Sequence, residues 1–275
     1  MKYWKKYTKE KLISRIDEAL NANVNFQTSK YLGYPVSRLD ENVFNTSGSF
    51  LDDSPLLKSF IANPNNIGCH TLGKSEEAFK GSQELEREII QVLAVDIFKA
   101  KENEYDGYIA TGGTEANIQA LWVYRNLYKK EFNATLDEMA ILSSVDTHYS
   151  VHKGSNLLSV ENFSIPVDFN SREIIKKELD VKVKDLISKG KKYFMVISNM
   201  STTMFGSVDD PNVYAEVLEK YNVEYKIHID AAFGGFIYPI SNRNSTINFE
   251  NPNISSITID AHKMLQAPYG TGVFL

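Results

Sequence analysis

The chain has 275 residues, of which 43% are hydrophobic and 24% are charged, a composition typical of a globular protein with one substantial core. Thirty-five acidic residues against 30 basic residues give a formal net charge of −5, which does not indicate nucleic-acid binding. No stretch approaches the roughly 20 apolar residues of a membrane span, and the polar start from Met1 to Glu10 does not resemble a signal peptide. These features favour a cytoplasmic protein. The single cysteine, Cys69, excludes an internal disulfide framework and a cysteine-based metal cluster.

Two amphipathic helical patterns open the chain. The first covers about Lys9 to Leu20, and in the second, five apolar residues repeat at helical spacing: Leu85, Ile89, Val92, Leu93 and Ile97. Between these patterns, Asn21 to Asn66 is irregular and rich in Asn, Ser and Pro, which predicts a loop-rich arm over the main body. We therefore predict an N-terminal helical arm over residues 1–66 and one large domain over residues 67–275.

From Lys101 onward, short apolar runs alternate with helical patterns. The predicted strands are Tyr105 to Ala110, Met139 to Ser143, Phe163 to Val167, Tyr193 to Asn199, Tyr225 to Ile229, Ile254 to Ile259 and Gly272 to Leu275. The predicted helices are Thr114 to Tyr128, Tyr149 to Leu157, Val181 to Ser188 and Pro211 to Tyr221. This alternation predicts an α/β fold with a mainly parallel seven-stranded sheet and helices on both faces. The chain stops inside an apolar run at Leu275, and we expect a further segment to follow in the full protein.

A glycine-containing segment follows the strand that ends near Ala110. It reads Thr111-Gly112-Gly113-Thr114-Glu115-Ala116-Asn117. Two glycines allow a ligand to come close to the backbone, and the N-terminus of the following helix offers N–H groups that suit a phosphate. The segment lacks the lysine of a P-loop and does not match the dinucleotide fingerprint. Taken alone, it is equally well interpreted as a structural helix start.

A histidine-containing segment follows the strand from Met139. His148 and His152 are four residues apart and could share one helix face, which would suit a pair of metal ligands. No adjacent glutamate and no third ligand at a recognisable spacing supports a metal site. A single functional His148 and a structural histidine at the helix start are the alternatives.

Two later strands each deliver one ionisable residue into a loop. Asp230 precedes a run of small residues, where its carboxylate could hold a magnesium ion, pair with a cationic ligand atom, or cap the loop. Lys263 follows the strand from Ile254, where an amine at the edge of the apolar sheet can act as a nucleophile. Considered singly, a lysine is more commonly a surface residue.

Taken together, these segments match the needs of one cofactor. Pyridoxal 5′-phosphate (PLP) has a phosphate, a flat ring, a protonatable ring nitrogen and an aldehyde, and the four segments offer one contact for each. On these motifs, from about His70 to Leu275, the sequence resembles group II PLP-dependent amino-acid decarboxylases, which include glutamate, aromatic amino-acid and tyrosine or aspartate decarboxylases. The resemblance implies a PLP-dependent transferase-like (fold type I) large domain, conversion of an L-amino acid to its amine and CO₂, and a homodimer with active sites at the subunit interface.

The resemblance also implies roles for individual residues. The segment Gly112, Gly113 and Thr114 would bind the cofactor phosphate, with His262 nearby, and Lys263 would form the imine with PLP. The remaining contacts would be made as follows: His148 stacks on the ring, Ala232 packs on the opposite ring face, Asp230 pairs with the ring nitrogen, and Thr203 approaches the cofactor or the substrate carboxylate. The catalytic residues expected from this match are Lys263, His148 and Asp230, and no metal is expected.

Other functions share the same layout. These are a PLP-dependent carbon–carbon lyase of the sphingosine-phosphate type, a cysteine desulfurase or aminotransferase relative, and a truncated, non-catalytic PLP-binding subunit. A desulfurase requires a cysteine on a loop after the lysine, whereas Cys69 lies far upstream. In the decarboxylases, a small C-terminal domain and a mobile loop with a proton-donating tyrosine follow the lysine. Neither is expected in this chain, and Tyr269, which precedes the last predicted strand, is not assigned that role. The amino-acid substrate stays open.

Overall fold

The computed structural model describes residues 6–23, 73–75 and 77–275. The chain divides into two compact units, Met1–Val92 and Leu93–Leu275. The irregular arm expected from Asn21 to Asn66 lies almost entirely outside the described residues. The arm and the domain boundary at residues 66 and 67 therefore stay predictions.

In the first unit, helix α1 (Lys9–Ala22) packs against helix α2 (Lys80–Gln91), which follows a short 3₁₀ helix, Glu77–Phe79. Thr8 caps α1 by accepting a hydrogen bond from the Lys11 N–H at 3.2 Å. The absence of a side chain at Gly81 allows the two helices to approach closely, because a Cβ there would lie only 1.7 Å from the carbonyl oxygen of Ala19. The predicted helix from Lys9 is confirmed, and the second pattern divides into α2 and the π-helical turn Val92–Ile97.

The second unit contains one sheet of seven strands among the described residues, with helices between them. In chain order the elements are β1 (Tyr108–Ala110), α3 (Gly113–Phe132), a 3₁₀ turn (Leu136–Glu138), β2 (Met139–Ser144), α4 (Tyr149–Leu158), β3 (Asn162–Ile165), α5 (Lys176–Ser188), β4 (Tyr193–Asn199), α6 (Pro211–Lys220), β5 (Glu224–Ala231), α7 (Tyr238–Ser241), β6 (Ile254–Asp260) and β7 (Gly272–Phe274). The strand order is β1-β7-β6-β5-β4-β2-β3. Within this sheet, β7 runs in the direction opposite to the other six strands. The mainly parallel α/β sheet predicted from the sequence is therefore confirmed.

The core lies on both faces of this sheet. Met139 and Ile141 on β2, together with Met195 and Ile197 on β4, pack with the buried side chains of α3 and α4. The alternate residues of the same strands point to the opposite face and are buried as well, as the wholly buried Phe194 illustrates. Helices α5 and α6 pack against each other, and they contact β3 and β5 respectively. Burial of both faces explains why these strands appear in the sequence as continuous apolar runs.

The sheet register brings the strand ends together. Asn199 at the end of β4 is level with Asp230 on β5, and Asp230 is level with Thr258 on β6. Asp260 lies two residues beyond Thr258, and its N–H donates to the Ala232 carbonyl at 3.2 Å. The carboxyl ends of these three parallel strands therefore form one edge, the usual location of ligand sites in α/β sheets. In the parts of the chain that the structure describes, no helix combines the length and apolar character needed to cross a bilayer.

Candidate active site

Lys263 lies in the turn that follows β6 and pairs with a buried aspartate. Its Nζ is 3.0 Å from Oδ2 of Asp260, whose side chain is 3% exposed, while the lysine side chain is 30% exposed. The Lys263 N–H also donates to the Asp260 carbonyl at 3.2 Å, which fixes the start of the turn. The lysine is therefore neither a free surface residue nor fully enclosed. The sequence analysis assigned no role to Asp260.

Asp230, at the end of β5, is buried but fully engaged with hydrogen-bond donors. Its Oδ2 accepts from Asn117 Nδ2 at 2.7 Å, and its Oδ1 accepts from the Ala232 N–H at 3.1 Å. The pKa of Asp230 is raised above its ordinary value because burial outweighs the two donated hydrogen bonds and the charges of Lys263 and His148, which act to lower it. The donors thus favour the ionised carboxylate, which is the form able to pair with a cationic ligand atom.

His148 is the N-cap of α4, and its ring also lines a pocket. Its Nδ1 accepts a hydrogen bond from the Ser150 N–H at 3.3 Å and lies 2.9 Å from the Ser150 hydroxyl. Burial is the largest effect on the pKa of His148 and lowers it, and the nearby charge of Asp230 acts in the opposite direction. The pocket brings together five residues proposed from the sequence: His148, Thr203, Asp230, Ala232 and Lys263.

His152 does not share this environment. Its side chain is exposed and lies 3.5 Å from the Asn162 amide. Among the described residues, no three His, Cys, Asp or Glu side chains are grouped as metal ligands. The structure therefore brings His148 to the strand-end pocket without a metal-ligand partner four residues away.

The glycines of the first motif form the start of α3. Gly112 is the N-cap and has no side chain to cap the helix, so N–H groups at the helix start face outward with the positive end of the helix dipole. A Cβ at Gly113 would lie 2.8 Å from Asp260 Oδ2 and 2.9 Å from the Ala232 Cβ, so a larger residue does not fit. A Cβ at Gly112 would lie 3.6 Å from the His262 ring, which places His262 beside the motif.

These features test whether the residues fit PLP. Within the described residues, Nδ1 of His262 and Oδ1 of Asp260 are buried and have no hydrogen-bond partner. Buried polar atoms of this kind are normally satisfied by protein, water or ligand. A helix start with Thr114 in its first turn, a histidine with a free ring nitrogen, a paired lysine and an engaged aspartate match the phosphate, aldehyde and ring nitrogen of the cofactor. The site fits PLP.

Thr203 lies in a tight loop after β4. The loop is closed by hydrogen bonds from the Thr202 N–H to the Ser207 carbonyl and from the Gly206 N–H to the Thr202 carbonyl, at 2.9 and 2.8 Å. Gly206 has a φ of +66°, which favours glycine at this position. Thr203 itself is exposed toward the pocket, so its hydroxyl is available to a ligand.

The structure also reveals residues that the sequence analysis missed. Arg172 pairs with Asp146, which lies at the pocket wall and whose side chain is 7% exposed. Arg172 also stacks on Phe205 in the Thr203 loop, and its guanidinium carbon lies 4.1 Å from the ring centroid. Asn117 contacts Asp230, yet it appeared only as the last letter of the glycine motif. Its spacing of four residues from Gly113 places it on the same face of α3, and this spacing could have identified it.

Known proteins share this fold. Among solved structures, L-methionine decarboxylase from Streptomyces sp. 590 matches with a TM-score of 0.66 and 18% identity, over 96% of this chain and 65% of that chain. A family model described as the pyridoxal-dependent decarboxylase conserved domain matches residues 12–275, and the chain therefore belongs to this family, whose cofactor is PLP.

Two sequence relatives carry more specific names. The chain is 55% identical, over its full length, to a tryptophan decarboxylase of Clostridium sporogenes. It is 33% identical over 245 residues, 85% of the chain, to a probable L-tyrosine/L-aspartate decarboxylase of Methanosphaera stadtmanae. The chain spans 66% and 59% of the lengths of these two proteins.

Proposed function

We propose that the protein is a PLP-dependent carboxy-lyase that converts an L-amino acid into the corresponding amine and CO₂. The observation that carries this proposal is the single pocket in which Lys263, Asp230, His148, Ala232 and Thr203 meet at the strand ends. Membership of the decarboxylase family supports the same reaction. The 55% identity to a tryptophan decarboxylase makes an aromatic amino acid the first candidate substrate.

The cofactor, when bound, supplies a ring that withdraws the electrons released at the substrate Cα. Asp230 would keep a negative charge beside the ring nitrogen and so favour its protonated form. His148 and Ala232 would confine the ring. Gly112, Gly113 and Thr114 would bind the phosphate at the start of α3, with His262 beside them.

Lys263 would anchor the cofactor covalently through Nζ, which lies beside Asp260. Before Nζ can act as a nucleophile, it has to lose a proton, because only the neutral amine carries a lone pair. Asp260 Oδ2, 3.0 Å away, is placed to accept that proton. Thr203, at the pocket wall, orients the substrate carboxylate, and this positioning determines that CO₂ rather than a proton is lost.

The cellular location and the oligomeric state are proposed from the family. We propose a cytoplasmic enzyme with a small-molecule substrate, in keeping with the amino-acid decarboxylases to which the chain is similar. A homodimer with active sites at the subunit interface is proposed from the family resemblance alone. Sedimentation of the purified protein with and without PLP would measure the oligomeric state.

The reaction is tested by incubating the purified protein and PLP with a panel of L-amino acids that includes tryptophan, tyrosine and aspartate. We expect release of CO₂ and the matching amine, with Lys263→Ala as the inactive control. Aldehyde products of carbon–carbon cleavage would instead support a lyase of the sphingosine-phosphate type. Cofactor binding without any turnover would support a non-catalytic PLP-binding subunit.

A further inference from the structure

A chain of buried polar side chains connects α3 and the sheet to Asp230. Tyr124 on α3 contacts the Ser256 hydroxyl, and that hydroxyl lies 2.6 Å from Nδ1 of His228. Nε2 of His228 lies 3.0 Å from Oδ1 of Asn117, whose Nδ2 donates to Asp230 at 2.7 Å. All five side chains are buried, so the chain is shielded from solvent.

The Asn117 amide gives this series of hydrogen bonds one direction, because its nitrogen donates to Asp230 and its oxygen, which faces His228, can only accept. Burial lowers the pKa of His228 to about 3, so the imidazole is neutral and carries one N–H. With that proton on Nε2, His228 donates to the Asn117 carbonyl oxygen, with the Thr258 hydroxyl a further neighbour at 2.9 Å. Nδ1 then accepts from Ser256, whose oxygen accepts from Tyr124. Each donor therefore points toward Asp230.

The orientation of the Asn117 amide depends on this direction. Its two N–H groups serve Asp230 and the hydroxyl of Ser150, the latter at 3.0 Å, and the Ser150 hydroxyl in turn lies 2.9 Å from Nδ1 of His148. If the amide turned over, its carbonyl oxygen would face the Asp230 carboxylate, and the N–H groups would face the donor of His228. A His228 donor therefore excludes the turned orientation.

We propose that His228 is a positioning residue, which acts through Asn117 to hold Asp230 as an ionised acceptor and to orient His148. This inference rests on the proposed function, in which Asp230 pairs with the cofactor ring nitrogen. The residue touches neither the pocket nor any reacting atom. Its effect reaches the site through the Asn117 amide, which bonds Asp230 directly and reaches His148 through the Ser150 hydroxyl.

Two amide substitutions separate the hydrogen-bond role of His228 from its size. In His228→Gln, the side-chain amide reaches the position of Nε2 and keeps a donor for Asn117, whereas the shorter His228→Asn reaches only the position of Nδ1. We expect His228→Asn to weaken PLP binding about tenfold, the upper end of the effect of losing a hydrogen bond between neutral groups. We expect His228→Gln to stay within about threefold of the wild type. His228→Leu, which removes all donors, is the stronger variant, and His228→Asn carries the test if His228→Leu does not fold.

The spectroscopic signature is the absorbance of protein-bound PLP as a function of pH. Without the oriented amide, the pKa of Asp230 rises further, and the acidic limb of the absorbance titration moves to higher pH in His228→Asn. The other ionisable groups whose charges act on Asp230 are Lys263, His148 and Asp209, and none of them is changed. The matched control is Tyr128→Phe, which also removes a buried hydroxyl of α3. That hydroxyl donates to the Phe194 carbonyl at 2.8 Å and takes no part in the hydrogen bonds that lead from Tyr124 to Asp230.

The outcomes are distinct. The proposal holds if His228→Asn shifts both PLP affinity and the acidic limb while His228→Gln and Tyr128→Phe do not. Equal behaviour of the Asn and Gln variants, or the same shifts in Tyr128→Phe, would overturn it. If the wild-type protein itself fails to bind PLP, or if Lys263→Ala keeps a borohydride-stable adduct, the proposed function fails instead.

Discussion

Two buried aspartates lie at the ends of neighbouring parallel strands, yet their surroundings differ. Asp230, on β5, accepts hydrogen bonds on both carboxylate oxygens from groups of the protein itself. Asp260, on β6, contacts Lys263 and His262 through Oδ2, and within the described residues its Oδ1 has no hydrogen-bond partner. The protein organises the first carboxylate in advance, and it leaves the surroundings of the second to be completed by a ligand.

This difference matches the tasks proposed for the two strand ends. A carboxylate that stabilises a charge on a ring nitrogen has to stay ionised in a buried place, which requires fixed donors. A carboxylate beside a nucleophilic lysine has to exchange a proton, which requires fewer donors. Substitutions at the two strand ends should therefore have different effects.

Replacement of the lysine at the β6 end is expected to have the largest effect. Lys263→Ala removes the amine that would anchor PLP, so turnover should fall to background and the borohydride-stable adduct should disappear. Mass spectrometry of the reduced protein measures the adduct. An adduct that persists on this variant would show that another lysine binds PLP, and the role proposed for Lys263 would be wrong.

The second largest effect is expected when the carboxylate of Asp230 is replaced by a neutral group. Asp230→Asn keeps the shape but removes the charge opposite the ring nitrogen, and breaking a buried charge pair costs about 2–5 kcal/mol. We expect PLP affinity to fall by the corresponding factor, measured by titration of the absorbance of bound cofactor. Near-normal affinity and turnover would show that the ring nitrogen has another partner.

Asp260→Asn changes the other carboxylate and should have a different signature. The variant removes the acceptor of the lysine proton while leaving Asp230 intact, and a hydrogen bond to a charged group is worth about 1.5–3 kcal/mol. The rate of PLP attachment, followed by stopped-flow absorbance, should fall more than the final affinity. Equal losses of rate and affinity would remove the proposed distinction between the two aspartates.

Buried His228 on β5 should make the free energy of unfolding depend on pH. Its pKa falls to about 3 in the folded protein, so the folded state stays neutral while the unfolded state gains a proton as the pH drops below its ordinary value of about 6.5. The contribution of neutral His228 to the free energy of unfolding is therefore fully present above about pH 6.5 and is lost as the pH falls toward about 3. Between pH 7 and pH 5, the wild type should lose about 2 kcal/mol more unfolding free energy than His228→Gln. Parallel pH curves in urea denaturation would contradict a neutral buried histidine.

The smallest effect is expected from the loop beside both strand ends. Thr203→Val removes an exposed hydroxyl from the pocket wall without changing the side-chain shape, and a hydrogen bond of this kind contributes about 0.5–1.5 kcal/mol. We expect a several-fold loss in kcat/KM with PLP affinity unchanged. The matched control is Ser207→Ala, because Ser207 bonds Thr202 within the same loop. Equal effects of both variants would indicate a role for loop structure rather than for the Thr203 hydroxyl.

The elements of this protein could be predicted from the sequence because they depend on local patterns. Apolar periodicity located the strands to within about three residues, and β4 was predicted with the bounds that the structure has, Tyr193–Asn199. The largest difference among the helices is α5, which begins at Lys176 rather than near Val181, because its first three residues are charged and precede the buried Leu179. The resemblance to a family then supplied roles for residues at the strand ends, and the structure brings five of those residues into one pocket.

Tertiary structure alone decided which residues support these roles. The sheet order, with β7 inserted antiparallel between β1 and β6, is set by contacts between distant segments and leaves no periodic signal. That order places α3 over β5 and β6, so that Asn117 meets Asp230 although 113 positions separate them, and His228 meets Ser256 across two strands. The sequence by itself determined the local elements and the identities of the residues with reactive groups. Their partners, charges and orientations required the folded chain, because a hydrogen bond depends on distances between atoms that the order of residues does not specify.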